Sequence, residues 1–224
     1  MALKDLPVEK KRFYLSIIFP AFFVALLWFV KVFEIIDNSN LWYLGIYPRS
    51  IEGLPGIILS PLIHGNINHL LDNSIPLFFL AWALFYFYNK VSYRVFFIIW
   101  FITGITVWVF ARPSYHIGAS GLIYGLGSFL FFSGIIRQNI NLLAISLLVA
   151  FLYGSMVWGI FPYRQGVSWE SHLAGGTAGF LLSLMYRKIG PKPTRHEWDE
   201  ENDENEEDYW MEDDQQFIED ENKK

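Results

Sequence analysis

The chain has 224 residues, of which 53% are hydrophobic and 19% aromatic, but only 17% are charged and none is cysteine. The lack of cysteine excludes disulfides, thiolate metal sites and a cysteine nucleophile. The formal net charge of −5 combines two unlike parts, because residues 196–224 carry −13 and residues 1–195 carry +8. The body shows no basic patch typical of nucleic-acid binding, and such sparse charge indicates a membrane protein.

Six apolar stretches follow one another in the chain, and we interpret them as six transmembrane helices. The first, residues 13–30, follows three basic residues as the core of a signal peptide would. It is too long for such a core and no small-residue cleavage site follows it, so we expect an uncleaved span. The other predicted spans are residues 66–88, 95–110, 118–136, 142–161 and 171–186. The expected fold class is therefore an all-α polytopic transmembrane bundle.

The segments outside the spans predict the domain layout and the orientation. Residues 33–65 are rich in aromatic side chains and suit the membrane interface. With both termini cytoplasmic, eleven Lys and Arg residues lie on the inner side and four on the outer side, which favours this topology. We predict a cytoplasmic N-terminus at residues 1–12, a membrane core at residues 13–189 and an acidic cytoplasmic tail at residues 190–224. The composition of the tail is typical of disorder.

Polar side chains at the starts of three spans carry the functional signal, because polar groups are costly inside a bilayer. His69 and Asn73 are four residues apart on one face of the second span. Ser120 opens the fourth span within a run of small residues, and His172 opens the sixth. In the six-span topology all three openings lie at the outer ends of their helices. The active site is therefore expected to open toward the outer face.

This set of side chains permits acyl transfer. Ser120 can act as a nucleophile if His172 accepts its proton. The His69 and Asn73 side chains and the backbone N–H of Ser120 could stabilise the resulting oxyanion. The two helices must approach closely for this, and the pairs of glycines four residues apart at 121 and 125 and at 175 and 179 would allow it.

The sequence motifs of this chain resemble those of the rhomboid intramembrane serine proteases. The resemblance rests on three blocks: His64-x4-His69-x3-Asn73, then Gly-Ala-Ser120-Gly with Tyr124 four residues later, then His172-x-x-Gly-x-x-x-Gly. It implies that Ser120 is the nucleophile and His172 the base, that His69 and Asn73 line the oxyanion site, and that Tyr124 packs on His172. It also implies cleavage of transmembrane protein substrates without a cofactor.

The sequence departs from the family in two ways. The adjacent Trp-Arg pair of the family's first loop is absent, and only Trp42 and Arg49 are available there. The acidic tail has no counterpart in the family core. We expect a polar, water-accessible outer cavity, lined in part by His64 and His116, because peptide hydrolysis consumes water.

Two other readings remain open at this point. The four outer histidines, His64, His69, His116 and His172, could bind a metal, although no H-E-x-x-H motif is present. A rhomboid-like pseudoprotease or a membrane-protein-binding module without catalysis is the non-enzymatic alternative. The predicted partners are the lipid bilayer and transmembrane substrates; the sequence does not predict an oligomeric state.

Overall fold

The computed structural model describes residues 7–152, 159–162 and 166–193. Within these ranges the chain is helical, and its β-type pairing is one isolated antiparallel bridge between Ile46 and His116. The six long helices, labelled in chain order, are α1 (Val8–Ile36), α2 (Ile67–Phe87), α3 (Ser92–Phe110), α4 (Ser120–Ile136), α5 (Ile140–Leu152) and α6 (Trp169–Met185). The expected all-α fold class is confirmed.

The second, third, fourth and sixth predicted spans agree with α2, α3, α4 and α6 within three residues at each end. Helix α1 begins five residues before the first predicted span and ends six residues after it, and the fifth span differs at its end. Residues 153–158 of that span lie outside the described part of the chain. Residues 159–162 form a turn, so the predicted helix end at residue 161 is wrong. Pro162 explains the error, because a proline disfavours helical geometry in the residue before it. The acidic tail beyond residue 193 lies outside the described ranges, so its disorder stays a prediction.

Three helices in the described part of the chain, α1, α2 and α3, are long and apolar enough to cross a membrane by length and composition. Helices α4 and α5 are shorter apolar helices. Many apolar side chains of α1 point away from the bundle, including Phe22 at 63% and Phe29 at 68% relative exposure. Exposed apolar surface on this scale is stable against lipid but not against water.

Helix α4 lies at the centre of the bundle and packs most extensively against α6, and also against α5, α2 and α3. Its side chains Leu126, Phe129 and Leu130 are completely buried. Helix α1 packs mainly on α2, where Trp28 donates a hydrogen bond to Ser74 (3.1 Å) and Trp82 donates one to Ser16 (3.0 Å). These bonds satisfy the two indole N–H groups, and each serine also donates to a backbone carbonyl of its own helix.

Packing is looser between α1, α2 and α5 than between α4 and α6. A cavity of about 390 Å³ lies between α1, α2 and α5. Its lining is almost entirely apolar and includes Phe13, Phe79, Trp82, Leu148 and Val149. The close contacts of the bundle are thus concentrated around α4 and α6.

The connection from α1 to α2 runs through four short helical turns: Leu41–Leu44, Ile51–Gly53, Gly56–Leu59 and Ser60–Leu62. Arg49 donates to the carbonyl of Ala111 (2.8 Å) at the end of α3, and Trp42 packs edge-on against Tyr115 (4.8 Å between centroids). Although the family's adjacent Trp-Arg pair is absent, this loop is anchored by its own tryptophan and arginine.

Candidate active site

The Ser120 side chain is held at the first residue of α4 by a sharp turn. Gly118, two residues earlier, has φ +106°, a left-handed conformation that residues with a Cβ rarely adopt. Its N–H donates to the carbonyl of Ser60 (2.8 Å). The backbone N–H of Ser120 is therefore one of the unsatisfied donors at a helix N-terminus, where the helix dipole favours negative charge.

His172 lies in the first turn of α6 and directly contacts the serine. Its Nε2 is 2.7 Å from Ser120 Oγ, and its Nδ1 is 2.8 Å from the carbonyl oxygen of Gly159. A carbonyl can only accept, so Nδ1 carries the proton and Nε2 is left as an acceptor for the serine hydroxyl. This is the tautomer that a general base needs. The imidazole is oriented without a carboxylate.

Tyr124 stacks on the His172 ring, as the resemblance implies. The ring centroids are 4.1 Å apart and the planes differ by 9°. Gly159 lies against both rings, since a Cβ there would collide with the Tyr124 hydroxyl and lie 2.9 Å from His172 Nδ1. Tyr124 and Gly159 together leave the imidazole, which is only 6% exposed, little freedom to rotate.

The predicted approach of the fourth and sixth spans is confirmed at the four glycines. A Cβ on Gly175 would collide with the carbonyl oxygen of Gly121, and a Cβ on Gly179 would collide with that of Gly125. The two backbones are therefore in direct contact along one turn after another. This contact brings the serine and histidine on separate helices within hydrogen-bond distance.

His69 and Asn73 lie beside the turn that carries the serine. Measured from the position of a Cβ on Gly118, His69 Nε2 is 2.9 Å away and Asn73 Nδ2 is 4.0 Å away. The Asn73 side chain is buried, and its Nδ2 donates one hydrogen bond to the carbonyl of His69 (2.7 Å). Its second N–H remains for another acceptor. The structure thus brings all four predicted site residues to one end of the bundle.

The other two outer histidines, His64 and His116, are buried, whereas we expected them to line a water-accessible cavity. His64 is 2% exposed and its ring packs 5.1 Å from that of His69. Burial, and then the charge of nearby His69, lowers the pKa of His64 to about 3, so the ring is neutral. His116 is also buried, and it contacts Ser168 and the Arg112 carbonyl instead of lining a wet cavity. In the described ranges, no group of three or more His, Cys, Asp or Glu residues is arranged to hold a metal.

Sequence reasoning missed three contributions. The Gly159 carbonyl that orients His172 carries no side-chain signal, so no motif could have identified it. The Glu170 side chain is only 10% exposed and lies 3.5 Å from Arg112. Lys31 bonds to Glu34 (2.6 Å) and to the carbonyl of His64 (3.0 Å), which ties the end of α1 to the loop before α2.

Comparison with known proteins shows the family of this chain. A family model described as the Rhomboid domain matches residues 52–189. Proteins of Mycobacterium bovis and Mycobacterium tuberculosis, both named as uncharacterised, are 37% identical over 179 residues, covering 74% of this chain and 75% of each relative. A Bacillus subtilis protein named provisionally as a rhomboid protease is 30% identical over 141 residues, covering 58% of this chain and 65% of that protein. The chain belongs to the rhomboid family of integral membrane proteins.

Proposed function

We propose that this protein is an intramembrane serine endopeptidase that cleaves transmembrane segments of other membrane proteins. The observation that carries the proposal is the 2.7 Å contact between His172 Nε2 and Ser120 Oγ, combined with the Nδ1 bond to the Gly159 carbonyl. Rhomboid proteins are generally intramembrane serine proteases, and Ser120 and His172 stand at the positions where the sequence resembles the family's nucleophile and base.

The reaction follows from the site. His172 Nε2 takes the hydroxyl proton as Ser120 Oγ attacks the carbonyl carbon of the scissile peptide. The backbone N–H of Ser120 and the side chains of His69 and Asn73 stabilise the oxyanion. The protonated His172 then gives its proton to the leaving amine. Water, activated by the same histidine, hydrolyses the acyl-enzyme and restores the free serine. The proposed reaction uses no cofactor.

The orientation is part of the proposal. Six helices cross the bilayer, both termini are cytoplasmic, and the site opens at the outer end of the bundle. The excess of Lys and Arg residues in the proposed inner segments supports this, as does the meeting of the starts of α2, α4 and α6 at one end. In a bacterial cell the membrane would be the inner or plasma membrane.

Reaction with a fluorophosphonate probe, followed by cleavage of a model transmembrane substrate, tests the function. Ser120→Ala should abolish both signals while the protein still inserts and folds, because no other group supplies the nucleophile. Ser183→Ala is the matched control, since its hydroxyl donates to the Phe180 carbonyl within α6 (2.6 Å), eleven residues after His172 on the same helix. It should keep labelling and cleavage within about threefold of the parent.

Parental labelling and cleavage by Ser120→Ala would refute the nucleophile assignment. A folded parent protein that is neither labelled nor active on any transmembrane substrate would instead support the pseudoprotease reading.

A further inference from the structure

A second serine–histidine contact lies four residues before the first on both segments. His116 Nδ1 is 2.6 Å from Ser168 Oγ. His116 precedes Ser120 by four residues, and Ser168 precedes His172 by four residues. The segment carrying the nucleophile and the segment carrying the base are therefore joined by two matched side-chain bonds. In the first bond the histidine is His172 of α6. In the second it is His116, which belongs to residues 111–119, the segment before Ser120 that we call the serine loop.

The hydrogen bonds of this pair determine its protonation. His116 Nε2 is 3.1 Å from the Arg112 carbonyl, which only accepts, so Nε2 carries the proton and Nδ1 accepts from the Ser168 hydroxyl. Ser168 is also the N-cap of α6, and its Oγ accepts from the N–H of Ser171 (3.3 Å). One hydroxyl thus caps the helix that carries the base and holds the loop that carries the nucleophile.

The surroundings of the His116 ring leave it no room to react with a substrate. The His116 side chain is 4% exposed and both its ring nitrogens are engaged. Burial lowers the pKa of His116, against the opposing effects of the Arg112 carbonyl and the Glu170 charge, and this is consistent with a neutral ring. The role available to the pair is to position other groups.

Neighbouring contacts fasten the same two segments. Arg112 donates to the carbonyl of Val167 (2.6 Å) and lies beside the Glu170 carboxylate. On its other side the serine loop is held by backbone pairing of His116 with Ile46 (2.9 and 3.0 Å). Arg112 is a partly exposed side chain whose ion pair is weak in water, whereas the His116–Ser168 bond is part-buried and its imidazole is only 4% exposed.

We propose that the His116–Ser168 pair is a positioning device that registers the first turn of α6 on the serine loop and so keeps His172 at reaction distance from Ser120. The inference rests on the proposed protease function. Because a misplacement of about 1 Å can cost about 10²-fold in rate, loss of this register should appear in kcat rather than in substrate binding.

The kinetic test uses graded substitutions in the full-length protein. His116→Phe and Ser168→Gly should each lower kcat and the rate of fluorophosphonate labelling about 10- to 100-fold, with KM within about twofold. Glycine is nearly as good an N-cap as serine, so Ser168→Gly removes the bond to His116 while largely keeping the cap. His116→Asn, with a carbonyl oxygen near the place of Nδ1, and Ser168→Thr should restore most of the activity.

The double variant His116→Phe with Ser168→Gly should be no slower than the worse single variant, since both remove one bond. Multiplied effects in the double variant, or parental kinetics in Ser168→Gly, would overturn the proposal.

A second measurement does not depend on catalysis. Amide hydrogen exchange should rise at residues 117–121 in Ser168→Gly and at residues 169–173 in His116→Phe, because each change releases the opposite segment. If each substitution loosens only its own segment, the pair does not register the two. The exchange measurement does not require an active parent protein. Failure of the positioning role and failure of the protease function are therefore distinguishable.

Discussion

Where α4 meets α6, the backbones approach so closely that a single added Cβ would collide with a carbonyl oxygen. On the far side of the bundle, between α1, α2 and α5, large apolar side chains border a cavity of about 390 Å³. The first region contains the serine and the histidine, whose separation must hold to a fraction of an ångström for proton transfer. We expect the second to face the hydrocarbon of the bilayer, where lipid can fill the cavity and precise packing is less important. The closest backbone packing of the described residues is therefore found at the proposed active site.

The largest effect should come from placing bulk between α4 and α6. Gly175→Val would drive a side chain into the Gly121 carbonyl, so the helices must separate and cleavage should fall by more than about 10²-fold. Gly176→Val is the matched control, because a Cβ on this adjacent residue meets nothing within 4 Å. Turnover of a model substrate, measured beside thermal stability in detergent, checks the difference. Equal activity of the two variants would show that the glycine contact does not set the geometry of the site.

A smaller loss should follow from removing one side-chain donor at the serine turn. Asn73→Ala should lower kcat by about 10²-fold without abolishing cleavage, because the His69 side chain and the Ser120 N–H remain. Asn68→Ala is a suitable control on the same helix, since that side chain is exposed. Steady-state kinetics of both variants measure the effect. Unchanged kinetics in Asn73→Ala would remove this residue from the oxyanion site.

The difference in packing between the two regions also predicts a difference in how much the free energy of unfolding falls when a leucine is truncated. Leu126 on α4 is completely buried, whereas Leu148 on α5 is 56% exposed beside the cavity. Leu126→Ala should cost about 2 to 4 kcal/mol, because the surrounding helices cannot collapse into the space left behind. Leu148→Ala should cost less than about 1 kcal/mol, because lipid or detergent replaces the lost contacts. Reversible unfolding in mixed micelles compares them, and equal costs would contradict the difference in packing.

The sequence predicted much of this architecture, because a helix that spans a membrane requires a long apolar run of residues. The helix limits came within a few residues at most ends, and the glycine pairs correctly predicted the contact between the fourth and sixth spans. The fifth span was misjudged at its end, where apolar residues continue into a turn at Gly159 and Pro162. Hydropathy reports burial in lipid, and it does not distinguish a helix from an apolar turn that follows it.

The candidate site divides in the same way. Residue type and spacing predicted Ser120, His172, His69 and Asn73 as the site residues, and the structure brings the four to one end of the bundle, while their catalytic roles stay predictions. The equal four-residue spacing of His116 before Ser120 and Ser168 before His172 was also visible in the sequence. The spacing alone does not predict a contact, which only the structure shows, with His116 Nδ1 2.6 Å from Ser168 Oγ.

The amino-acid sequence by itself determined which stretches are helical and apolar, and which polar side chains stand at their ends. Only the tertiary structure decided the tautomer of His172, through a backbone carbonyl thirteen residues away, and the joining of His116 to Ser168 across 52 residues. The physical reason is that hydropathy and helix propensity act locally along the chain. Hydrogen-bond partners depend on which backbones pack together, and here that packing depends on glycines that expose the carbonyls of α4 to α6.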